Sequence, residues 1–115
     1  MRVEMTFNDA AITAAGYRKE DIYWTIKKAF TGRGLRCTSE NELLSFEDNG
    51  GENDYAQMWN VIKSLMISDW FLTCASSCLY IDDDDEVEDV LAQSYLFKKS
   101  QLEQQMKFVN FLRQY

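Results

Sequence analysis

The hydrophobic residues at the amino terminus occur at every second position. They are Met1, Val3, Met5 and Phe7. This period of two predicts a half-buried β-strand. A short helical turn follows, which Asn8 or Asp9 can cap, and the period then changes to three and four. The apolar positions of this next stretch predict an amphipathic helix that ends at Gly32, and they are Ile22, Ile26, Ala29 and Phe30.

The middle of the chain combines short strand patterns with one strong helical pattern. Residues 35–38 and 43–46 predict two strands joined by a polar turn, which is a hairpin. After a loop over residues 48–53, Asn53 or Asp54 can cap a helix. Its predicted buried stripe consists of Tyr55, Met58, Trp59, Ile62, Leu65 and Met66. Residues 70–81 are rich in strand formers and predict either one long strand or a hairpin that turns at 75–77.

The last thirty residues carry the longest helical pattern. Asp83, followed by Glu86 three positions later, resembles a capping box with Asp in place of Ser or Thr, so we expect a helix from Val87 onwards. One apolar stripe of this helix contains Val87, Val90, Leu91, Tyr95, Leu102, Met106 and Val109. A second stripe follows heptad spacing on another side and contains Phe97, Gln101, Gln104, Phe108, Phe111 and Tyr115.

This second stripe leaves two interpretations open. A helix that is buried on one face needs only one apolar stripe. The helix is therefore either covered on two sides within its own domain, or it contacts another chain through its aromatic residues. The residues of that predicted contact are Phe97, Phe108, Phe111 and Tyr115.

The order of predicted elements is strand, helix, strand, strand, helix, strand, helix. We therefore predict an α+β fold in a single domain over residues 1–115, with a helical extension over residues 86–115. The expected sheet is antiparallel, has about four strands and carries its helices on one face. Its first six elements match the ferredoxin-like β-α-β-β-α-β order. The competing interpretation is a helix-dominated α+β domain in which the first strand does not form.

Charge is distributed very unevenly along the chain. The net charge is −7, but residues 37–93 contain one Lys and fourteen Asp or Glu. Such a segment produces a directed electrostatic field, and it predicts a partner with a basic surface. The candidate partner-binding residues are Asp48, Glu52, Asp82, Asp83, Asp84, Asp85, Glu86, Glu88 and Asp89. The alternative is that the run 82–86 is only a helix cap next to a solvated face.

Motifs for catalysis and for cofactor or metal binding are weak. The chain has no histidine, which removes the commonest general base near neutral pH. Its three cysteines, Cys37, Cys74 and Cys78, fit small core residues better than nucleophiles or zinc ligands. The run 82–86 lacks the glycine of a calcium-binding loop, and residues 31–34 lack the spacing of a P-loop. We expect no enzymatic activity, no cofactor and no metal.

The expected location is intracellular. No apolar run approaches the roughly 20 residues that span a bilayer, and the first residues lack the pattern of a signal peptide. An odd number of cysteines also argues against a secreted disulfide scaffold. We therefore expect a cytoplasmic protein that has no membrane partner. If the protein is an inhibitor encoded by a phage, this cytoplasm is that of the infected bacterial host.

These observations lead to a non-enzymatic acidic binding protein as the functional hypothesis. It would dock on the basic nucleic-acid-binding surface of a nuclease or another nucleic-acid-handling protein. Phage-encoded inhibitors of restriction and CRISPR nucleases are proteins of this physical type. Two alternatives stay open. One is a small homo-oligomeric structural or regulatory domain that assembles, for instance as a homodimer, through its C-terminal helix. The other, direct nucleic-acid binding by the basic N-terminal helix, fits the acidic composition less well.

Overall fold

The computed structural model describes residues 1–113 and shows a single α+β domain with a five-stranded antiparallel sheet. The strands are β1 (Arg2–Phe7), β2 (Arg36–Glu40), β3 (Leu44–Glu47), β4 (Ala75–Ile81) and β5 (Val87–Asp89). The helices are α1 (Asp9–Ala14), α2 (Lys19–Thr31), α3 (Asp54–Met66), α4 (Asp69–Cys74) and α5 (Val90–Arg113). The predicted fold class is therefore confirmed.

The strands lie in the order β2-β3-β1-β4-β5, and every neighbouring pair is antiparallel. The first four strands, with the helices between them, have the predicted ferredoxin-like order, and β1 lies at the centre. The strand at the amino terminus is real, so the helix-dominated alternative is wrong. A fifth strand, which the sequence pattern did not predict, extends the sheet beside β4.

One face of the sheet carries the hydrophobic core. Val3 is paired with Phe46 on one side and with Tyr80 on the other, and Met5 is paired in the same way with Leu44 and Cys78. Because side chains alternate along a strand, these residues share one face. All five helices add buried side chains to the same cluster, among them Ile12, Ile26, Phe30, Met58, Ile62, Phe71 and Val90. The prediction that the helices cover one face is confirmed.

Polar side chains that hydrogen-bond to each other occupy the opposite face. The hydroxyl groups of Thr6 and Ser77 are 2.6 Å apart. The hydroxyl of Thr38 donates to that of Ser45 at 3.0 Å. This alternation of buried and polar positions explains why the period of two was visible in β1.

Residues 70–81 differ from both interpretations of their strand-rich composition. The first part forms the short helix α4, and only residues from Ala75 onwards form a strand. Phe71 and Cys74 are fully buried and three positions apart, which is the spacing of one helical face. Burial of this face therefore outweighs the strand preference of the aromatic residues.

Helix α3 forms as predicted, but its buried face is rotated. Met58, Ile62 and Leu65 are buried together with Val61, whereas Tyr55 is 61% exposed. Trp59 is half-buried, and its ring centroid lies 4.8 Å from that of Tyr80 on the sheet. Tyr55 and Trp59, which lie on one margin of the predicted stripe, are therefore partly or largely exposed.

The predicted capping box at Asp83 and Glu86 is wrong. Val87 pairs with Ile81 as part of β5, so the acidic run is a turn between two strands and α5 begins only at Val90. Asp89 caps the helix, because its carboxylate accepts a hydrogen bond from the backbone N–H of Ala92 at 3.0 Å. The interpretation of the run as a helix cap is therefore excluded.

Helix α5 has two halves with different surroundings. In the first half, Val90, Leu91 and Ser94 are buried against the domain. The Lys98 ammonium group then donates to the backbone oxygen of Ile67 at 3.1 Å and to the carboxylate of Asp69 at 2.6 Å. Every residue from Lys99 to Arg113 is exposed, and we call this segment the projecting segment.

Candidate functional site

Several predicted partner-binding residues meet at one end of the sheet. Arg2 at the start of β1 is paired with Glu47 at the end of β3 and with Ile81 at the end of β4. The segments that follow these two strands therefore lie next to each other, although more than 30 residues separate them in the chain. We call this region the acidic end, and it consists of Asp48, Glu52, Asp82, Asp83, Asp84, Asp85 and Glu86.

Asp82 organises the turn between β4 and β5. Its carboxylate accepts hydrogen bonds from the backbone N–H groups of Asp84 at 2.8 Å and of Glu86 at 3.0 Å. The backbone N–H of Asp85 donates to the Asp82 carbonyl at 3.1 Å, and the Asp82 N–H donates to the Glu86 carbonyl at 3.0 Å. Asp85 has a φ of 62°, the left-handed conformation that a hairpin of this length uses after its tight turn. The side chains of Asp84, Asp85 and Glu86 are exposed.

The Met1 ammonium group links two parts of the acidic end. It lies 2.5 Å from the carboxylate of Asp83 and 3.0 Å from that of Asp48. The hydrogen bond to Asp83, supported by the one to Asp48, raises the pKa of the amine above its ordinary value of 8.0. The same amine lowers the pKa of Asp48 below its ordinary value of 3.8. The turn and the loop after β3 are thus held together by a shared cation.

Asp54 fixes the shape of the loop that carries Glu52. Its carboxylate accepts hydrogen bonds from the backbone N–H groups of Asn49 at 2.6 Å and of Gly51 at 3.1 Å. A Cβ atom at Gly51 would lie 2.7 Å from this carboxylate, so a larger residue there would displace the Asp54 side chain. Glu52 itself is exposed at the tip of this ordered loop.

Glu88 and Asp89 lie apart from the acidic end, on β5. Asp89 is used as the cap of α5. Glu88 borders an open groove between α3 and α5 whose lining includes Tyr55, Trp59 and Lys63. The structure therefore brings together seven of the nine predicted partner-binding residues. The ordering role of Asp82 had a sequence signal, because Asp before a tight turn often bonds the backbone two residues later. Asp54 bonds backbone N–H groups three and five positions earlier, which this signal does not predict.

The basic residues of the N-terminal half do not form a comparable surface. Lys19 pairs with Asp9 at 3.2 Å, and Lys27 pairs with Glu40 at 2.9 Å. The Lys28 ammonium group lies 4.8 Å from the ring centroid of the exposed Trp24. The guanidinium group of Arg33 donates to the side chain of Gln57. Acidic groups therefore offset the charges of Lys19 and Lys27, whereas Arg33 and Lys28 contact a neutral amide and an aromatic ring.

The cysteines lie in and around the core as unpaired thiols. Cys74 and Cys78 are buried, and Cys37 is half-buried. Burial raises the pKa of all three, and that of Cys78 reaches about 12. Since the thiolate is the reactive form, these surroundings disfavour nucleophilic chemistry.

Two further properties concern the described residues 1–113. Within this range, no three Cys, Asp or Glu side chains converge into a group that could hold a metal ion. No helix in the same range has the length and apolar character that a membrane span needs.

Three of the four predicted helix-contact residues lie on α5, and their side chains are exposed. Phe97 is 41% exposed, Phe108 is 61% exposed and Phe111 is 54% exposed. Tyr115 falls outside the described residues.

Comparisons with protein-family models, with curated proteins and with solved structures gave no significant match. The function is therefore inferred from the geometry of this chain.

Proposed function

We propose that this protein is a non-enzymatic binding protein whose acidic end docks on the basic nucleic-acid-binding surface of a larger nucleic-acid-handling protein, such as a nuclease. The observation that carries this proposal is the gathering of seven carboxylate side chains at one end of the sheet. Asp84, Asp85, Glu86 and Glu52 are exposed there. In the specific form of an inhibitor made during phage infection, the protein acts inside the bacterial host.

Hydrogen bonds make the acidic end a preorganised surface. Asp82 shapes the turn, Asp54 shapes the loop, and the Met1 amine joins them through Asp48 and Asp83. Because these backbones are already ordered, docking costs little conformational entropy. A dense group of negative charges also attracts a cationic groove over a distance and competes with a phosphate backbone for it.

The test uses purified nucleases with basic DNA-binding clefts, and it measures both cleavage and competition with a fluorescent DNA duplex. We expect the protein to displace the duplex from its partner, with an affinity that falls steeply as salt increases. The variant Asp84→Asn, Asp85→Asn, Glu86→Gln removes three charges and retains Asp82, Asp83 and Asp48. Its association rate at low salt should fall about tenfold or more.

The matched control removes three charges elsewhere, through Glu20→Gln, Asp21→Asn and Glu42→Gln. These residues are exposed, and none of them belongs to the acidic end. The control variant should associate at nearly the rate of the unaltered protein. Equal affinity and equal salt dependence for all three proteins would contradict the role of the acidic end.

A further inference from the structure

The projecting segment makes the chain less compact than a domain of its size. The radius of gyration is 16.3 Å, whereas a compact chain of this length has one of about 13 Å. The accessible surface is 7568 Å², against about 6,500 Å² expected for a compact monomer of 13.5 kDa. The excess is therefore about 1,000 Å². Helix α5, with 24 residues and a length of about 36 Å, provides the obvious source.

The exposed apolar residues of the projecting segment are concentrated on one side. At 100° per residue, five of them fall within an arc of about 160°. They are Leu102, Met106, Phe108, Val109 and Leu112. The same arc also contains Gln101, Gln105 and Arg113, and Phe111 lies about 60° outside it. Lys99, Glu103, Lys107 and Asn110 form a polar strip on the other side. The apolar arc continues the side on which Val90, Leu91 and Ser94 pack against the domain, so one face of α5 is covered at its start and exposed at its end.

We propose that this apolar arc pairs with the same arc of a second copy of the chain, so that the protein forms a two-fold symmetric dimer with antiparallel α5 helices. A helical segment of about 15 residues is marginal in water by itself and needs packing to persist. The arc covers about 160° of the circumference, so it accounts for roughly half of the excess surface, which corresponds to an interface smaller than the standard one of roughly 800 Å² per partner. A two-fold dimer uses the same patch on both subunits, and Leu102, Met106 and Val109 repeat in this arc at spacings of four and three, as helix pairing requires. Of the four contact residues predicted from the sequence, this arc contains Phe108, whereas Phe97 and Phe111 lie outside it.

Charge favours the antiparallel orientation. Helix α5 has four Lys or Arg and one Glu, a net charge of +3, whereas residues 1–89 have eight Lys or Arg and eighteen Asp or Glu, a net charge of −10. In an antiparallel pair, the basic tip of each helix points towards the domain of the other copy, whose net charge is −3 when the seven carboxylates of the acidic end are left out of the −10. A parallel pair would place two basic tips together and two acidic domains together, which is unfavourable.

The antiparallel dimer would present its two acidic ends far apart. Helix α3 begins next to the acidic end and runs about 20 Å to Met66. Lys98 of α5 contacts Ile67 and Asp69 just beyond that point, so the projecting segment leaves the domain at the opposite end. The dimer does not require the docking function proposed above, and it can be tested without any partner.

The test is sedimentation velocity of the full chain over a concentration series, with small-angle X-ray scattering at the highest concentration. We expect a dimer whose longest dimension clearly exceeds the 55 Å of one copy. Phe108→Glu places a charge in the arc and should weaken dimerisation at least 100-fold. Asn110→Glu adds the same charge on the polar strip and should change the dissociation constant less than threefold. Circular dichroism in the near ultraviolet verifies that the domain of each variant is folded.

Three results would overturn the proposal. One is a monomer of the unaltered chain at high micromolar concentration, and another is a dimer that Phe108→Glu does not weaken. The third is a dimer no longer than one copy, which would exclude the antiparallel arrangement. None of these results would affect DNA competition by the acidic end, and a failure of that competition would leave the sedimentation result unchanged.

Discussion

The acidic end and the projecting segment lie at opposite ends of the domain and are built in opposite ways. At the acidic end, carboxylates of Asp82 and Asp54 bind backbone N–H groups, and the Met1 amine joins two segments distant in the chain. In the projecting segment, every residue is exposed and large apolar side chains face solvent. The first region is held by hydrogen bonds within the domain, whereas the second is a helix whose apolar side chains are not covered by the domain.

The proposed docking and the proposed dimerisation would use this difference in separate ways. A preorganised charged surface contributes mainly to the rate and specificity of association. An exposed apolar stripe contributes affinity through burial, at about 25 cal/mol per Å² of apolar surface. Substitutions at the acidic end and in the projecting segment should therefore have separable effects.

The largest expected difference in the free energy of unfolding is between two variants of α5. Leu91→Ala should lower the free energy of unfolding by about 2–3 kcal/mol, because Leu91 is buried against the domain. Leu102→Ala, in the projecting segment, should change it by less than about 0.5 kcal/mol. Urea unfolding of both variants measures this, with Phe108→Glu added to keep the chain monomeric. Equal losses would mean that the projecting segment packs against its own domain.

A second contrast lies within the acidic turn. Asp82→Ala should destabilise the fold by about 1–2 kcal/mol, because two backbone N–H groups lose their acceptor. Asp82→Asn retains a side-chain oxygen and should restore most of this loss. Asp84→Ala, next to it and exposed, should have an effect below about 0.5 kcal/mol. Thermal unfolding of the three variants decides whether Asp82 alone organises the turn.

The smallest effect concerns the ion pair between Asp48 and the Met1 amine. Asp48→Asn should cost about 0.5–1 kcal/mol at neutral pH, since the pair is partly exposed. The folded pKa of Asp48 is lowered, so its contribution is complete above the ordinary value of 3.8 and disappears as the pH falls through the folded pKa. The amine pKa is raised, so the contribution also declines as the pH rises past that folded value.

Unfolding of both proteins between about pH 2 and pH 10 tests this assignment. The difference between the unaltered protein and Asp48→Asn should be largest between the two folded pKa values. A difference that is constant over the whole pH range would show that the contribution of Asp48 to stability does not depend on its charge.

The success and failure of the sequence predictions follow the length of each element. The six residues of β1 alternate strictly, and the 13 residues of α2 repeat their apolar positions, so both were predicted. The three residues of β5 are too few for a period, and only Val87 favours a strand. That strand forms because the edge of β4 offers backbone groups that Val87, Glu88 and Asp89 can pair with.

The capping prediction at Asp83 failed for a related reason. The pattern of Asp followed by Glu three residues later fits a helix start, but an Asp can equally accept hydrogen bonds in a hairpin turn. Pairing of Val87 with Ile81 places the residues on a strand, and the helix then begins after Asp89. No local pattern distinguishes these outcomes, because the deciding contact is with β4.

Composition and periodicity along the chain are enough to predict the α+β class, the acidic middle segment with its basic flanks, and the second apolar stripe of the last helix, because each of these features repeats within one element. That Asp48 and Asp83 share one amine, and that α5 leaves the domain after Lys98, became visible in the folded chain. Those arrangements depend on strand order and register, which join residues far apart in the chain and leave no local pattern.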